Sequence, residues 1–293
     1  MILTVFHATT YRYDPPVRGV VQSHRLTPAR SRGQRVLDWD VAVSDGVAGG
    51  GFRDGAGDWV QSHSAHGPLS AITVTVRGRV ETTDLAGVLR GHRERIPPEA
   101  FLRETPPTRA DVALTDLGRD ALAGASDALD RAHRLAGAVH AAIAFQPGAT
   151  HAHTTAAEAL GLGEGVCQDH AHALIAAARS QGIPARYVSG YLAMGLADGQ
   201  SQSQVQGVMI GAEPQQVQGV ATDYEAAHAW AELWVDGLGW VGFDAANACC
   251  PDARYLRLGS GLDSRGAAPI RGIARGAGAE SLDVAVAVEI AQQ

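Results

Sequence analysis

The chain has 293 residues, 45% hydrophobic and 19% charged, which is enough length for two modest domains with buried cores. Its 31 acidic residues outnumber 24 basic ones, giving a formal charge of −7 with no basic cluster, and this argues against a nucleic-acid partner. No apolar run reaches the roughly 18 residues of a membrane span, no leader-like segment opens the chain, and three cysteines do not make a disulfide framework, so a reduced cytoplasmic setting without a membrane partner is expected.

The first ninety residues read as strands. Thr4 to Tyr13 is rich in β-branched and aromatic residues and is expected to stop at Pro15-Pro16. Val36 to Val43 alternates, with Leu37, Trp39, Val41 and Val43 on one face. Asp54-Gly55-Ala56-Gly57-Asp58 is a turn opening into Trp59-Val60, a hairpin signal, and Ile72 to Val80 is a long alternating strand. The composition shifts near residue 91. Pro97-Pro98 and Pro106-Pro107 lead into an Ala/Leu-rich helical stretch between Asp111 and Phe145, then a short helix near Glu158-Ala159-Leu160. Residues 167–182 read as a further helix ending at Gly182. Strands follow at 186–192, 228–235, 240–244 and 282–288. The expected organisation is a β-rich domain over 1–90 and a second domain over 91–293 that includes the C-terminal strand. The segment 197–221, with Gln-Val-Gln-Gly-Val at 204–208 and again at 216–220, reads as a surface insertion or as a flap beside the site.

Gly163-Glu164-Gly165-Val166-Cys167 places a cysteine where a glycine-rich turn enters a helix. The unpaired N–H groups and dipole of a helix start stabilise a thiolate and can bind a developing oxyanion. In His228-Ala229-Trp230-Ala231-Glu232-Leu233-Trp234, alternation puts His228, Trp230, Glu232 and Trp234 on one strand face. Asp236-Gly237-Leu238-Gly239 then turns the chain into Trp240-Val241-Gly242-Phe243-Asp244. Pairing Val235 with Gly239 across three loop residues sets Asp244 opposite Trp230 and diagonal to His228. A four-residue loop would put the two side chains on opposite faces, so an odd loop or a glycine bulge is predicted. A histidine held by a carboxylate keeps its other nitrogen for the thiol.

These segments, with Gly182-Ile183-Pro184-Ala185-Arg186-Tyr187-Val188-Ser189-Gly190-Tyr191, resemble the bacterial transglutaminase-like family. The resemblance is close over roughly 145–250, and the N-terminal β segment resembles the region that accompanies this domain in bacterial members. It implies an α+β fold, an N-terminal antiparallel β domain followed by a papain-like core of helices packed on an antiparallel sheet. By resemblance Cys167 is the nucleophile, His228 the general base and acid, and Asp244 the orienting carboxylate, with Trp230 a candidate substrate wall. His170 departs from the usual aromatic residue, and Ala245-Ala246-Asn247 from the frequent proline-threonine-asparagine; neither touches the three. A zinc site from Cys167, His170 and His172, completed by His151 and His153, is disfavoured because these positions do not converge on one helix face. Asp169 is expected to stabilise the helix end, and Cys249-Cys250 to be unpaired thiols. No cofactor is implied, calcium included, as no acidic loop is present. The implied activity is acyl transfer through a cysteine thioester on a peptidyl glutamine or peptide bond. The partners are a protein or peptide substrate and a primary amine or water. Peptidase or amidase action on the same fold is the alternative, and a non-catalytic binding domain is less favoured because all three residues are present.

Overall fold

The computed structural model describes residues 1–193, 226–276 and 278–291. The segment 197–221 singled out above lies outside them. The fold is the α+β arrangement expected: a bent antiparallel sheet, then helices packed on a second antiparallel sheet.

The first sheet is built on two long strands, β1 (Ile2–His24) and β4 (Trp59–Thr82). Leu3, Val5, His7 and Thr9 alternate inward along β1, as a strand with one buried face requires. Pro15-Pro16 does not end β1. Its register against β4 shifts between Arg12 and Val17, so the prolines, which lack an N–H, fall in the gap of the ladder. β2 (Gln34–Val43) and β3 (Val47–Arg53) both pair with β4, one along each half, and the 54–58 turn closes the β3–β4 hairpin.

The connection runs into α1 (Val112–Ala121) and α2 (Ala128–Ala142), capped by Asp111 and Asp127, whose side chains accept from Leu114 N and Asp130 N. Gly124, at φ 73°, breaks the helical stretch between them. After β5 (Ala144–Phe145) come α3 (Ala156–Leu162), β6 (Glu164–Gly165), which pairs with β5, and α4 (Cys167–Ser180). α4 is buried along almost its whole length, and its alanines let β7 (Ala185–Leu192) and β8 (Ala227–Val235) approach closely; β9 (Gly239–Phe243) pairs with β8. β10 (Tyr255–Gly261) completes the order β10-β7-β8-β9. Leu114, Leu135, Val139, Ile143, Leu174 and Leu233 form the core between helices and sheet.

The C-terminal strand does not belong where the sequence reading put it. β11 (Ile270–Arg275) and β12 (Ala279–Ile290) both return to β1, which offers them its free edge, so the N-terminal sheet is completed by the last residues of the chain. Covering that edge removes a long unpaired ladder.

Buried polar groups join the two sheets. His7 Nδ1 meets the Tyr191 hydroxyl at 2.7 Å. On the sheet face shared with His228, Glu232 accepts from Arg186 Nε at 2.6 Å and Arg257 Nε at 2.8 Å. Arg257 Nη1 also donates to Asp58 at 2.7 Å, so the 54–58 turn is held against β10 by charge. Arg186 is stacked 4.0 Å from the Trp240 ring centroid, which compensates a buried Nη2 that has no hydrogen-bond acceptor among the described residues. Burial opposes the Glu232 charge, but the two arginines outweigh it and bring the carboxyl from an ordinary 4.5 down to about 2. A depressed carboxylate contributes stability above its unfolded value that is lost as pH falls through its folded one. Acid unfolding is therefore expected to gain a component between about pH 4 and 2, read by circular dichroism. Glu232→Gln, which leaves two buried guanidiniums undercompensated, is expected to lower stability by about 3 kcal/mol in denaturant titration.

Candidate active site

The turn before α4 is shaped to present Cys167. Asp169 Oδ2 accepts from Val166 N at 2.8 Å and from Thr150 Oγ1 at 2.6 Å, capping the helix as its place in the first turn predicts. A side chain at Gly165 would meet Asp169 at 2.7 Å, so only glycine admits this cap. The amides of Asp169 and His170 both bond Val166 O. Cys167 and Gln168 are then the residues whose N–H groups leave the helix end without an intrahelical acceptor, beside a half-buried thiol.

β8 and β9 pair Val235 with Gly239, the three-residue loop predicted, with Gly237 and Gly239 at φ 83° and 86°. The ladder carries Ala231 to Phe243, and Asp244 follows one step on. His228 Nε2 donates to Asp244 Oδ2 at 2.6 Å. With Nε2 engaged, Nδ1 is the ring nitrogen left for Cys167, which is near enough to favour the charged imidazole. Burial pushes His228 down, but hydrogen bonds to Asp244 and Cys167 and the charges of both reverse this and raise it to about 10.

Asp244 is held more completely than sequence reasoning anticipated. Its Oδ2 also accepts from Asn247 Nδ2 at 2.7 Å and the Tyr255 hydroxyl at 2.8 Å, while Oδ1 accepts the amides of Ala246 at 3.0 Å and Asn247 at 3.2 Å. Burial raises this carboxyl, and the donors led by His228 bring it below its ordinary range. A tight turn makes the cluster possible: Asp244 and Cys249 exchange two backbone bonds, and Ala248 takes the left-handed conformation at φ 52°. Tyr255 lies on β10, a strand not anticipated, so its place beside Asp244 had no signal in sequence. Asn247, three residues after the aspartate in an Asx-type turn, did have one.

Residues 115–245 match the transglutaminase-like superfamily and residues 3–81 the bacterial transglutaminase-like N-terminal region, together more than two thirds of the chain. The chain belongs to the transglutaminase-like superfamily. An uncharacterized protein of Mycobacterium leprae is 29% identical over 98% of each chain. One of Mycobacterium tuberculosis is 28% identical over 92% of this chain and 86% of that one. Among solved structures, "a Putative Cysteine Protease from Cytophaga hutchinsonii" aligns with a TM-score of 0.70 and 19% identity, covering all of this chain and 92% of that one, a likeness of fold.

Other expected residues of this transglutaminase-like chain lie elsewhere. Trp230 is not an open substrate wall. It is 3% exposed, packed beneath His228 with ring centroids 6.4 Å apart and edge-on to Tyr255 at 5.5 Å. Gly190, opposite His228, makes room for it: a Cβ there would stand 2.7 Å from the Trp230 ring and 2.2 Å from Leu256 O. Gly190→Ala is accordingly expected to destabilise by about 2 kcal/mol in thermal unfolding. His170 bridges the carbonyls of Val166 and Ile143 at 3.0 and 2.9 Å, and His172 Nε2 accepts from Ser264 N at 3.0 Å. Burial brings His172 down to about 4. Among the described residues no group of three or more His, Cys, Asp or Glu side chains is placed to share a metal. Cys249 and Cys250 are free thiols, and Cys249 Sγ lies 3.3 Å from the Tyr255 hydroxyl. His151 and His153 line an open groove of about 710 Å³ with Ala149, Glu158 and Leu162. The loop bearing them is tied to the start of α4 through Thr150.

Proposed function

We propose that this chain is a thiol-dependent acyltransferase acting on amide substrates, a peptidyl glutamine or peptide bond, through a thioester on Cys167. The observation that carries this reading is the bond from His228 Nε2 to a fully satisfied Asp244, which leaves Nδ1 free of that bond, with the Cys167 thiol at a helix start near enough to raise the imidazole. Cys167 Sγ attacks the amide carbon, and the N–H groups of Cys167 and Gln168 accommodate the oxyanion. His228 delivers its Nδ1 proton to the leaving nitrogen as the C–N bond breaks, giving the thioester. An amine or water then gives a proton to Nδ1 as it attacks the acyl carbon, the C–S bond breaks, and the sulfur is released. We place the acyl-donor chain in the groove lined by the 149–154 loop and α3, a loop tied to the start of α4 through Thr150.

Hydrolysis uses the same thioester with water as acceptor, so a peptidase or amidase is the nearest other reading; a binding domain without chemistry stands further off. One assay separates the three. The chain is incubated with a glutamine peptide and a primary amine, and ammonia, amine incorporation and peptide cleavage are followed together. Amine incorporation establishes transfer, and ammonia or cleavage without it establishes hydrolysis. A Cys167 that iodoacetamide alkylates no faster than free cysteine would count against catalysis altogether. Tyr255→Phe removes one donor from Asp244 and is expected to lower kcat by about tenfold with KM nearly unchanged.

A further inference from the structure

We infer that the N-terminal sheet carries a second binding site, for a small amphiphilic anion: a carboxylate or sulfonate borne on an aromatic or aliphatic body. β2 and β3 both pair with β4 but not with each other, and the gap between them opens a cleft of about 570 Å³. That is the size of a small-molecule pocket. Its apolar walls are Trp39, Trp59, Val41 and Leu26, and among the described residues its only charged lining groups are the guanidiniums of Arg30 and Arg53. None of Cys167, His228 or Asp244 lines it, so the inference does not rest on the reading of the active site.

Two features point to an anion. First, among the described residues neither cation is ion-paired, in a chain whose net charge is negative. The carboxylates of the adjoining turn are already engaged, Asp54 by Arg25 at 3.1 Å and Asp58 by Arg257 at 2.7 Å. Among the described residues Arg53 donates to one uncharged acceptor, Gly57 O, at 2.8 Å; burial and then the repulsion of Arg30 disfavour its charge, and Asp58 offsets this only in part. An arriving carboxylate or sulfonate relieves that repulsion and takes up guanidinium donors. His24, which also lines the cleft, is brought down to about 4 by burial and by His63, so at neutral pH it is uncharged and the two guanidiniums supply the attraction. Second, the aromatic walls are fixed before any ligand arrives. Trp39 Nε1 donates to Leu26 O at 2.9 Å. Trp59 lies over Gly51, where a Cβ would come within 2.3 Å of its ring, and the Arg53 guanidinium sits 5.8 Å above that ring. Rings held in place beside cations suit an aromatic body that stacks while its acid group meets the arginines.

The test uses the full chain and two dyes that differ by the acid group, 1-anilinonaphthalene-8-sulfonate and uncharged N-phenyl-1-naphthylamine. The sulfonate is expected to bind one-to-one by calorimetry and to quench tryptophan fluorescence, at least roughly tenfold tighter than the neutral dye. In Arg30→Gln/Arg53→Gln its affinity falls by roughly tenfold or more, while the neutral dye is unaffected. Protein alkylated at Cys167 binds the sulfonate as before, which separates this site from the thiol cleft. Equal affinity of the two dyes for the native chain, or sulfonate binding that stays within about twofold in the folded double variant, overturns the inference. Because the comparison of dyes is made on the native chain, it decides the matter even where the variant does not fold.

Discussion

Cys167→Ala is expected to abolish turnover of every amide substrate, by about 10⁶-fold in kcat if the three residues act as a unit, while leaving the chain folded. The two halves of that expectation have separate causes. Without sulfur no thioester forms, and the helix-end amides then have only a bound carbonyl to polarise, so what survives is what binding and the oxyanion site supply alone. The fold is spared because the thiol is half-buried at the end of α4 and packs at the rim of the core rather than within it. Removing one small atom there is expected to cost no more than about 1 kcal/mol. The checks are single-turnover kinetics on a glutamine peptide, mass spectrometry for an acyl adduct at residue 167, and a melting curve. Residual turnover near the native rate would show that another group carries the chemistry. Cys249 would be the first to consider, since it lies 3.3 Å from the tyrosine that bonds Asp244.

How much of this site was legible in sequence depends on how local each part of it is. The cysteine at a helix start and the aspartate beyond a hairpin are set by short-range rules: a glycine-rich entry, strict alternation, and a loop whose parity decides which face a side chain takes. Those rules placed His228 and Asp244 together through the Val235–Gly239 pairing. Tyr255 is different. It comes from a strand on the far edge of the sheet, two strands from β8, and no local pattern says which residue of a distant strand will meet a carboxylate. The same holds for Arg257 and Asp58, joined across 199 residues. A partial signal existed in Glu232: a carboxylate between two tryptophans on a buried strand face requires a cation, and Arg186 stands opposite it on β7. Trp230 shows the converse error. Its position two residues from His228 on the same face suggested a wall of the cleft, but a side chain that large beside Gly190 fills the layer beneath the histidine instead. The last strands were misplaced for a topological reason, because alternation in 279–290 reports a strand and says nothing of which sheet receives it.

Asp244→Asn is the second substitution with a large expected effect, a fall in kcat of about 10²–10⁴-fold. Asp244 receives five donors, three on Oδ2 and two on Oδ1, and only a carboxylate accepts on both sides. An asparagine must turn its amide N–H₂ against at least two of them, and even where its oxygen still faces His228 Nε2 it offers a neutral acceptor in place of a charged one, so the imidazole is held less firmly. The electrostatic consequence is separable from the geometric one. His228 sits at about 10 because hydrogen bonds and charges from Asp244 and Cys167 together overcome burial; with Asp244 neutral, burial gains ground and the imidazole is expected to titrate lower. The pH dependence of stability carries the same signature. A histidine raised above its ordinary 6.5 contributes stability that is complete below that value and is lost as pH rises through about 10. A carboxylate held below its ordinary 3.8 contributes stability that is lost as pH falls through its folded value. The native chain should therefore exceed Asp244→Asn in stability most strongly between about pH 4 and 6.5, and the gap should narrow as pH climbs toward about 10. Denaturant titrations of the two proteins across that range measure it, and NMR of the His228 imidazole gives its titration directly. A stability gap that does not vary with pH would mean that the variant loses packing rather than a charged pair. The fall in activity would then say nothing about the role of Asp244 in orienting the histidine.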